Sequence, residues 1–149
     1  MRTEDDAIDH RTADPRYERL LEATREAAKG GYDAVQMREL AAATRMSLTT
    51  VYQFCSSKDH LIAEAHADRM AQFRERLEKR PVGGAPASAR VTEVFRKVTR
   101  SLDRDAELTR TIMRALYSQE PGVQRSRRHV SENYAAILER SARLLVPDR

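Results

Sequence analysis

At 149 residues the chain is one domain by length, with enough sequence to bury a real core. It carries a formal net charge of +4, but residues 1–60 hold nine basic against eleven acidic side chains, so the positive excess lies after Pro81 and bulk charge lends no support to DNA binding by the N-terminal part. No run of about 18 apolar residues exists and a single cysteine, Cys55, permits no internal disulfide or Cys-based metal site, which excludes a membrane span and fits a reducing cytoplasm.

Ala, Leu, Glu and Arg dominate and no strand-like alternation of any length occurs, so the expected fold class is all-α. Residues 1–13 are polar, acidic and aperiodic and read as a disordered tail. Asp14-Pro15 then opens a helix, Asp as N-cap and Pro at the first helical position. Its inward stripe is Tyr17, Leu20, Leu21, Thr24, Ala27 and Ala28, and Gly30-Gly31 stops it. Tyr32 and Val35 are expected to plug the following loop.

Two short helical patterns follow on either side of a tight turn. The first runs from Met37 to about Thr44, with Met37, Leu40 and Ala41 on one face. The second begins after Ser47, an N-cap residue, and turns Val51, Phe54 and Cys55 inward. Such a pair is the helix-turn-helix unit, whose second helix enters the DNA major groove. Its groove side would present Leu48, Thr49, Thr50, Tyr52 and Gln53, hydroxyl, amide and aromatic groups that suit base edges and phosphates.

Ser57 caps a long helix from Lys58 to roughly Arg80, in which His60 and His66 read as surface or core-edge histidines with no carboxylate to complete a metal set. Pro81 to Pro86 reads as a flexible loop. Three amphipathic helices are expected after it. The first carries Val91, Val94, Phe95, Val98 and Leu102; the second Leu108, Ile112, Met113, Leu116 and Tyr117. Glu120-Pro121-Gly122 reads as a turn, and the last helix carries Val130, Tyr134, Ile137, Leu138, Leu144 and Leu145 until Pro147. His129, after Arg127-Arg128, reads as part of a solvated basic turn. Arg96, Lys97, Arg100 and Arg104 share a helix face, which is either plainly solvated or an attraction for an anionic ligand such as a coenzyme A thioester.

In the helix-turn-helix stretch, Arg38, Leu40, Ala41, Ser47, Thr50, Tyr52, Ser57 and Lys58 fall, in order and at the right spacing, on the pattern of the TetR family of bacterial transcriptional repressors, which the sequence resembles. Gln36 replaces the usual Thr at the helix start and Arg45 sits where the turn normally has Gly, at a cost of about 1 kcal/mol if the residue is left-handed. The resemblance implies residues 14–60 as a three-helix DNA-binding domain, with Gln36, Arg38, Ser47 and Lys58 joining the contacts and Lys58 on a phosphate. It implies residues 61–149 as a helical effector-binding and dimerisation region, whose pocket would use Phe73, Val94, Val98, Met113, Leu116, Tyr117, Tyr134 and Leu138. The segments Gly30 to Arg38 and Leu108 to Ala115 are similar to the family's actinobacterial subgroup that represses cholesterol catabolism and responds to steroid coenzyme A thioesters.

No catalytic set, phosphate loop or metal-ligand pair stands at working spacing, so no enzyme, cofactor or metal is expected. The expected function is a ligand-responsive DNA-binding regulator, a repressor released from its operator by a small apolar or amphipathic effector, acting in the bacterial cytoplasm at the nucleoid. A helical protein-interaction module is the alternative. Partners would be a double-stranded operator, the effector and a second copy. Because Arg149 falls where the family's closing helix pair should begin, the homodimer is expected to be weak, with the last helix covered by the other subunit.

Overall fold

The computed structural model describes residues 14–80 and 86–143, and every regular element among them is helical. The expected tail at 1–13, most of the Pro81–Pro86 loop, and Leu144, Leu145 and Pro147 lie outside the described residues.

Helix α1 spans Pro15–Ala28. Asp14 Oδ1 accepts the Arg16 N–H at 2.9 Å, satisfying one of the donors a helix start leaves bare. The buried face is Tyr17, Leu20, Leu21, Thr24 and Ala28, and the Thr24 hydroxyl is satisfied by donating to the Leu20 carbonyl at 2.7 Å. Gly31 ends the segment at φ 101°, where its missing side chain also lets Glu107 approach: a Cβ there would stand 3.1 Å from Glu107 Oε1. A single 3-10 turn, Tyr32–Ala34, leads to the fully buried Val35.

Helices α2 (Met37–Ala43) and α3 (Leu48–Phe54) are joined by a turn closed by two backbone bonds, Met46 N–H to the Ala41 carbonyl at 2.9 Å and Arg45 N–H to the Ala42 carbonyl at 3.2 Å. This is the Schellman pattern, which demands a left-handed residue at its centre. Arg45 supplies it at φ 56° without being glycine. Met46 then packs against the core, the apolar contact that accompanies such caps.

Helix α4 (Lys58–Lys79) is the axis of the molecule. Ser57 caps it by accepting the His60 N–H at 3.0 Å. Its first half is buried on almost every side, at 60–63 and 65–67, because α1, α6 and α7 all pack on it. The remaining helices are α5 (Ala87–Arg104), α6 (Ala106–Leu116) and α7 (Pro121–Arg143). Two cores result. One joins α1, α2, α3, the start of α4 and α6 around Leu20, Val35, Val51, Leu61 and Ile112; the other joins the rest of α4 with α5 and α7 around Met70, Val94, Val130 and Ile137.

Several sequence expectations need correcting. Pro121 and Gly122 are not a turn but the first residues of α7, Pro tolerating the bare donor position. Gly122 is buried against His60, where a Cβ would fall 2.6 Å from Nδ1. His60 and His66 are buried core residues, and His129 is helical. Phe95, Met113 and Tyr117 are exposed at 54%, 43% and 78%, off the buried faces of their helices. Among the described residues of the α7 stripe, Val130, Tyr134 and Ile137 pack within the chain against α4 and α5.

Candidate nucleic-acid interface and effector cavity

Helix α3 is anchored from below. Val51 is fully buried, and Phe54 packs on Tyr17 of α1 with ring centroids 5.2 Å apart. That anchorage turns Thr49, Tyr52 and Gln53 outward together, and Tyr52 is 49% exposed. Ser47 and Thr50 serve the helix itself: Ser47 Oγ accepts the Thr50 N–H at 3.0 Å, and the two hydroxyls stand 2.8 Å apart. Leu48 is half-buried on the first core, so it presents only part of its side chain. Gln36 and Arg38 are exposed at the start of α2, and Gln36 makes no side-chain capping bond there.

Lys58 opens α4 and its ammonium lies 4.0 Å from the Tyr32 ring centroid. Arg114 of α6 meets the same ring at 3.7 Å. The Tyr32 hydroxyl donates to Asp59 Oδ1 at 2.5 Å, and burial, then this partner, push the phenol up to about 12. The side chain is thus a neutral aromatic plate with two cations against it.

Beneath the start of α4 lies a polar network that sequence reasoning missed. Glu64 accepts from the Tyr17 and Ser126 hydroxyls and faces His60 Nε2 at 3.7 Å. Burial alone would raise this carboxyl, but His60, Ser126 and Tyr17 outweigh it and hold it down at about 2. His60 Nδ1 accepts the Ser56 N–H at 3.2 Å, which leaves the ring proton on the Nε2 that faces Glu64. Glu120, just before α7, accepts from both Ser56 and Ser57. His60 lies within four residues of Glu64 and Ser56, but Tyr17, Ser126 and Glu120 join the network from 47 or more residues away, so no local pattern announces it.

Between α4, α5 and α6 is a cavity of about 290 Å³, open at one side. Of the residues expected to line it, Phe73, Val98 and Tyr134 do. Val94 sits in the second core, Leu116 packs on the first, and Leu138 is half-buried without bordering the cavity. Met113 and Tyr117 are exposed, and α6 borders the cavity through Leu108, Thr109 and Ile112 instead. Of the basic face on α5, Lys97 alone borders the cavity; the other cations, Arg69 and Arg76, come from α4, as does the unexpected His66. The three-and-four spacing of 66, 69, 70, 73 and 76 was the available signal for these.

Among the described residues there is no group of three potential metal ligands and no helix long and apolar enough to cross a membrane.

Residues 20–65 match the sequence profile of the bacterial regulatory proteins of the tetR family. Over 101 residues, 67% of the chain, the sequence is 34% identical to the HTH-type transcriptional repressor KstR of Mycobacterium tuberculosis and 38% identical to KstR of Rhodococcus jostii. The chain belongs to the TetR family. It spans about half the length of these curated relatives, 46% and 47%. A TetR transcriptional regulator from Rhodococcus sp. RHA1 shares the fold with a TM-score of 0.70 at 24% identity, over 89% of this chain and 72% of that one. The transcriptional regulator FadR from Bacillus subtilis, in complex with stearoyl-CoA, aligns with a TM-score of 0.63 at 22% identity, over 84% and 68%. The matched segment runs from α1 to the start of α4.

Proposed function

We propose that this TetR-family chain is a ligand-responsive transcriptional repressor, reading a double-stranded operator with α3 and releasing it when a small amphipathic effector occupies the cavity. The observation that carries the reading is the tip of α3: Thr49, Tyr52 and Gln53 stand exposed together on a helix locked by Val51 and Phe54. No charged side chain interrupts that tip, which favours base edges over plain solvation. Gln53 is the base-reading candidate, since its amide can pair with adenine in bidentate fashion, and Lys58 is the phosphate contact. The KstR relatives, described as HTH-type transcriptional repressors, support repression as the direction.

The cavity supports the effector. α6 lines it through Leu108 and Ile112 and, two residues beyond Ile112, holds Arg114 against the Tyr32 ring that Lys58 also touches. A ligand that shifts α6 therefore acts on the lysine proposed for DNA, provided it binds the shifted state more tightly. The regulator works as a homodimer, since a helix-turn-helix protein of this kind meets two half-sites about one DNA turn apart. It acts in the cytoplasm, on the nucleoid.

Selecting bound fragments from genomic DNA at physiological salt tests the proposal. Recovery of one recurring, two-fold site is expected. Enrichment of no sequence, with binding that merely tracks salt, would overturn it.

A further inference from the structure

The cavity is polarised along its length. α4 lays His66, Arg69, Phe73 and Arg76 along one wall, at steps that keep them on one face. From His66 to Arg76 is about 15 Å of helix. Val94 shares a core with Phe73 and Leu77 while Ser101 Oγ accepts from Arg69 Nη2 at 2.7 Å, so α5 runs opposite to α4. Lys97, one turn before Ser101, therefore lies toward the Arg76 end. Three permanent cations border the cavity and no carboxylate does. Arg76 and Lys97 are solvent-exposed at its mouth, with Arg76 6.0 Å from the Phe73 ring centre.

The other end is different. His66 is only 7% exposed, and its Nδ1 is shut off from water with no hydrogen-bond partner among the described residues. Burial, and then the charge of Arg69, push the imidazole down to about 4, so the ring is neutral near pH 7. Beside it lies a void of about 10 Å³, barely the space of one water. A buried, neutral polar ring without a partner is costly in a plain core, and native cores seldom keep one. In a cavity wall the missing partner can arrive with the ligand.

We propose that the cavity takes an extended amphiphile with a negative charge at one end and a hydrogen-bonding oxygen at the other. Arg76 and Lys97 hold the charge at the end remote from α2 and α3, Met70 and Phe73 cover the apolar middle, and His66 reads the oxygen at the buried end. This deepens the effector reading of the same cavity and rests on it. The specificity of the site lies in the buried end, because exposed cations attract any anion whereas a sealed imidazole rejects a bare methyl terminus.

Calorimetry on the full chain without DNA tests the assignment, using 12-hydroxydodecanoate, dodecanoate and 1-dodecanol, which span about the required length. The hydroxy acid should bind about tenfold more tightly than dodecanoate, one satisfied hydrogen bond, and dodecanol more weakly than the hydroxy acid. His66→Leu should erase the preference for the hydroxy acid while still binding dodecanoate, and His66→Gln should keep part of it. Arg76→Ala with Lys97→Ala, both exposed, should weaken the two acids about equally and leave dodecanol unchanged. Equal binding of hydroxylated and plain acids by the parent chain, a preference that survives His66→Leu, or binding of none of the three would overturn the proposal. Release of DNA is followed separately. Binding that obeys these rules without altering DNA affinity would leave the ligand assignment standing and remove the effector reading alone.

Discussion

Glu120 accepts the hydroxyl proton of Ser57, the residue whose oxygen also caps α4. One hydroxyl thereby ties the start of α7 to the start of the helix that leads out of the helix-turn-helix unit. Ser56 donates to the same carboxylate. Burial raises the Glu120 carboxyl, but these two hydroxyls, with His60 and Arg125, leave it below its usual range, so it is charged at neutral pH, next in the structure to the segment that carries Lys58. Glu120→Ala should lower the melting temperature by about 4 °C, the loss of about 1 kcal/mol in a partly exposed pair of bonds. It should also raise affinity for any DNA about twofold at low salt, as a negative charge leaves the phosphate side. Thermal melts and salt-dependent mobility shifts read both, and an unchanged melting temperature would contradict the tie.

Tyr52→Ala or Gln53→Ala should weaken operator binding about tenfold with the helical circular dichroism intact, since both side chains are exposed and hold nothing in place. Gln53→Ala should blur discrimination between sites more than it lowers affinity. Lys58→Ala should weaken binding to all sequences and reduce the salt slope by about one. Wild-type affinity in all three variants would refute the proposed role of α3.

Two buried groups make stability depend on acid in separate windows. Glu64, held at about 2 against an ordinary 4.5, contributes stability that is complete above 4.5 and lost as pH falls toward 2. The full effect is on the order of 3 kcal/mol. His66, pushed from 6.5 to about 4, is likewise depressed, so its neutral-state advantage is complete above 6.5 and drains between 6.5 and 4. Denaturant titrations across pH should show the Glu64→Gln variant flat in the lower window and the His66→Leu variant flatter in the upper one. The reverse assignment of windows would disprove it.

Gly122→Ala should cost about 2 kcal/mol and lower the melting temperature by about 6 °C, because the new methyl group would meet the ring of a buried histidine that is itself bonded to Ser56. A second substitution, His60→Ala, should relieve the clash while losing the Glu64 contact. A Gly122→Ala melt within one degree of the parent would show that α7 can shift away.

Arg45→Gly should raise stability by about 0.5 kcal/mol, the relief of the left-handed strain less the extra freedom glycine has when unfolded. Arg45→Val, which resists that conformation more strongly, should destabilise. Equal melting temperatures for arginine, glycine and valine would mean the turn is not left-handed.

What the sequence disclosed was local. Asp14, Ser47 and Ser57 cap helices through atoms two or three residues away, so a one-dimensional pattern suffices to find them. The face of α3 was legible because Val51 and Phe54 repeat at helical spacing on a short helix. The first half of α4 defeated the same method: with 60–63 and 65–67 all buried, there is no solvent face, and histidines normally placed at a surface are in the core. Met113 and Tyr117 were misplaced for the converse reason. They extend an apolar stripe past the edge of what α4 and α5 cover, and periodicity does not say where cover stops. The cavity's cations were sought on α5, where they cluster in sequence, although two of the three come from α4.

Helix α4 runs through both cores, its beginning packed with α1, α2 and α3 and its remainder with α5 and α7. A division of the chain near residue 60 therefore falls inside the third residue of one continuous rod, not in a linker. Melting one core exposes apolar surface on the same helix that the other needs, so the described residues should unravel in a single sharp transition, and a protease should find no seam between the helix-turn-helix part and the part that encloses the cavity.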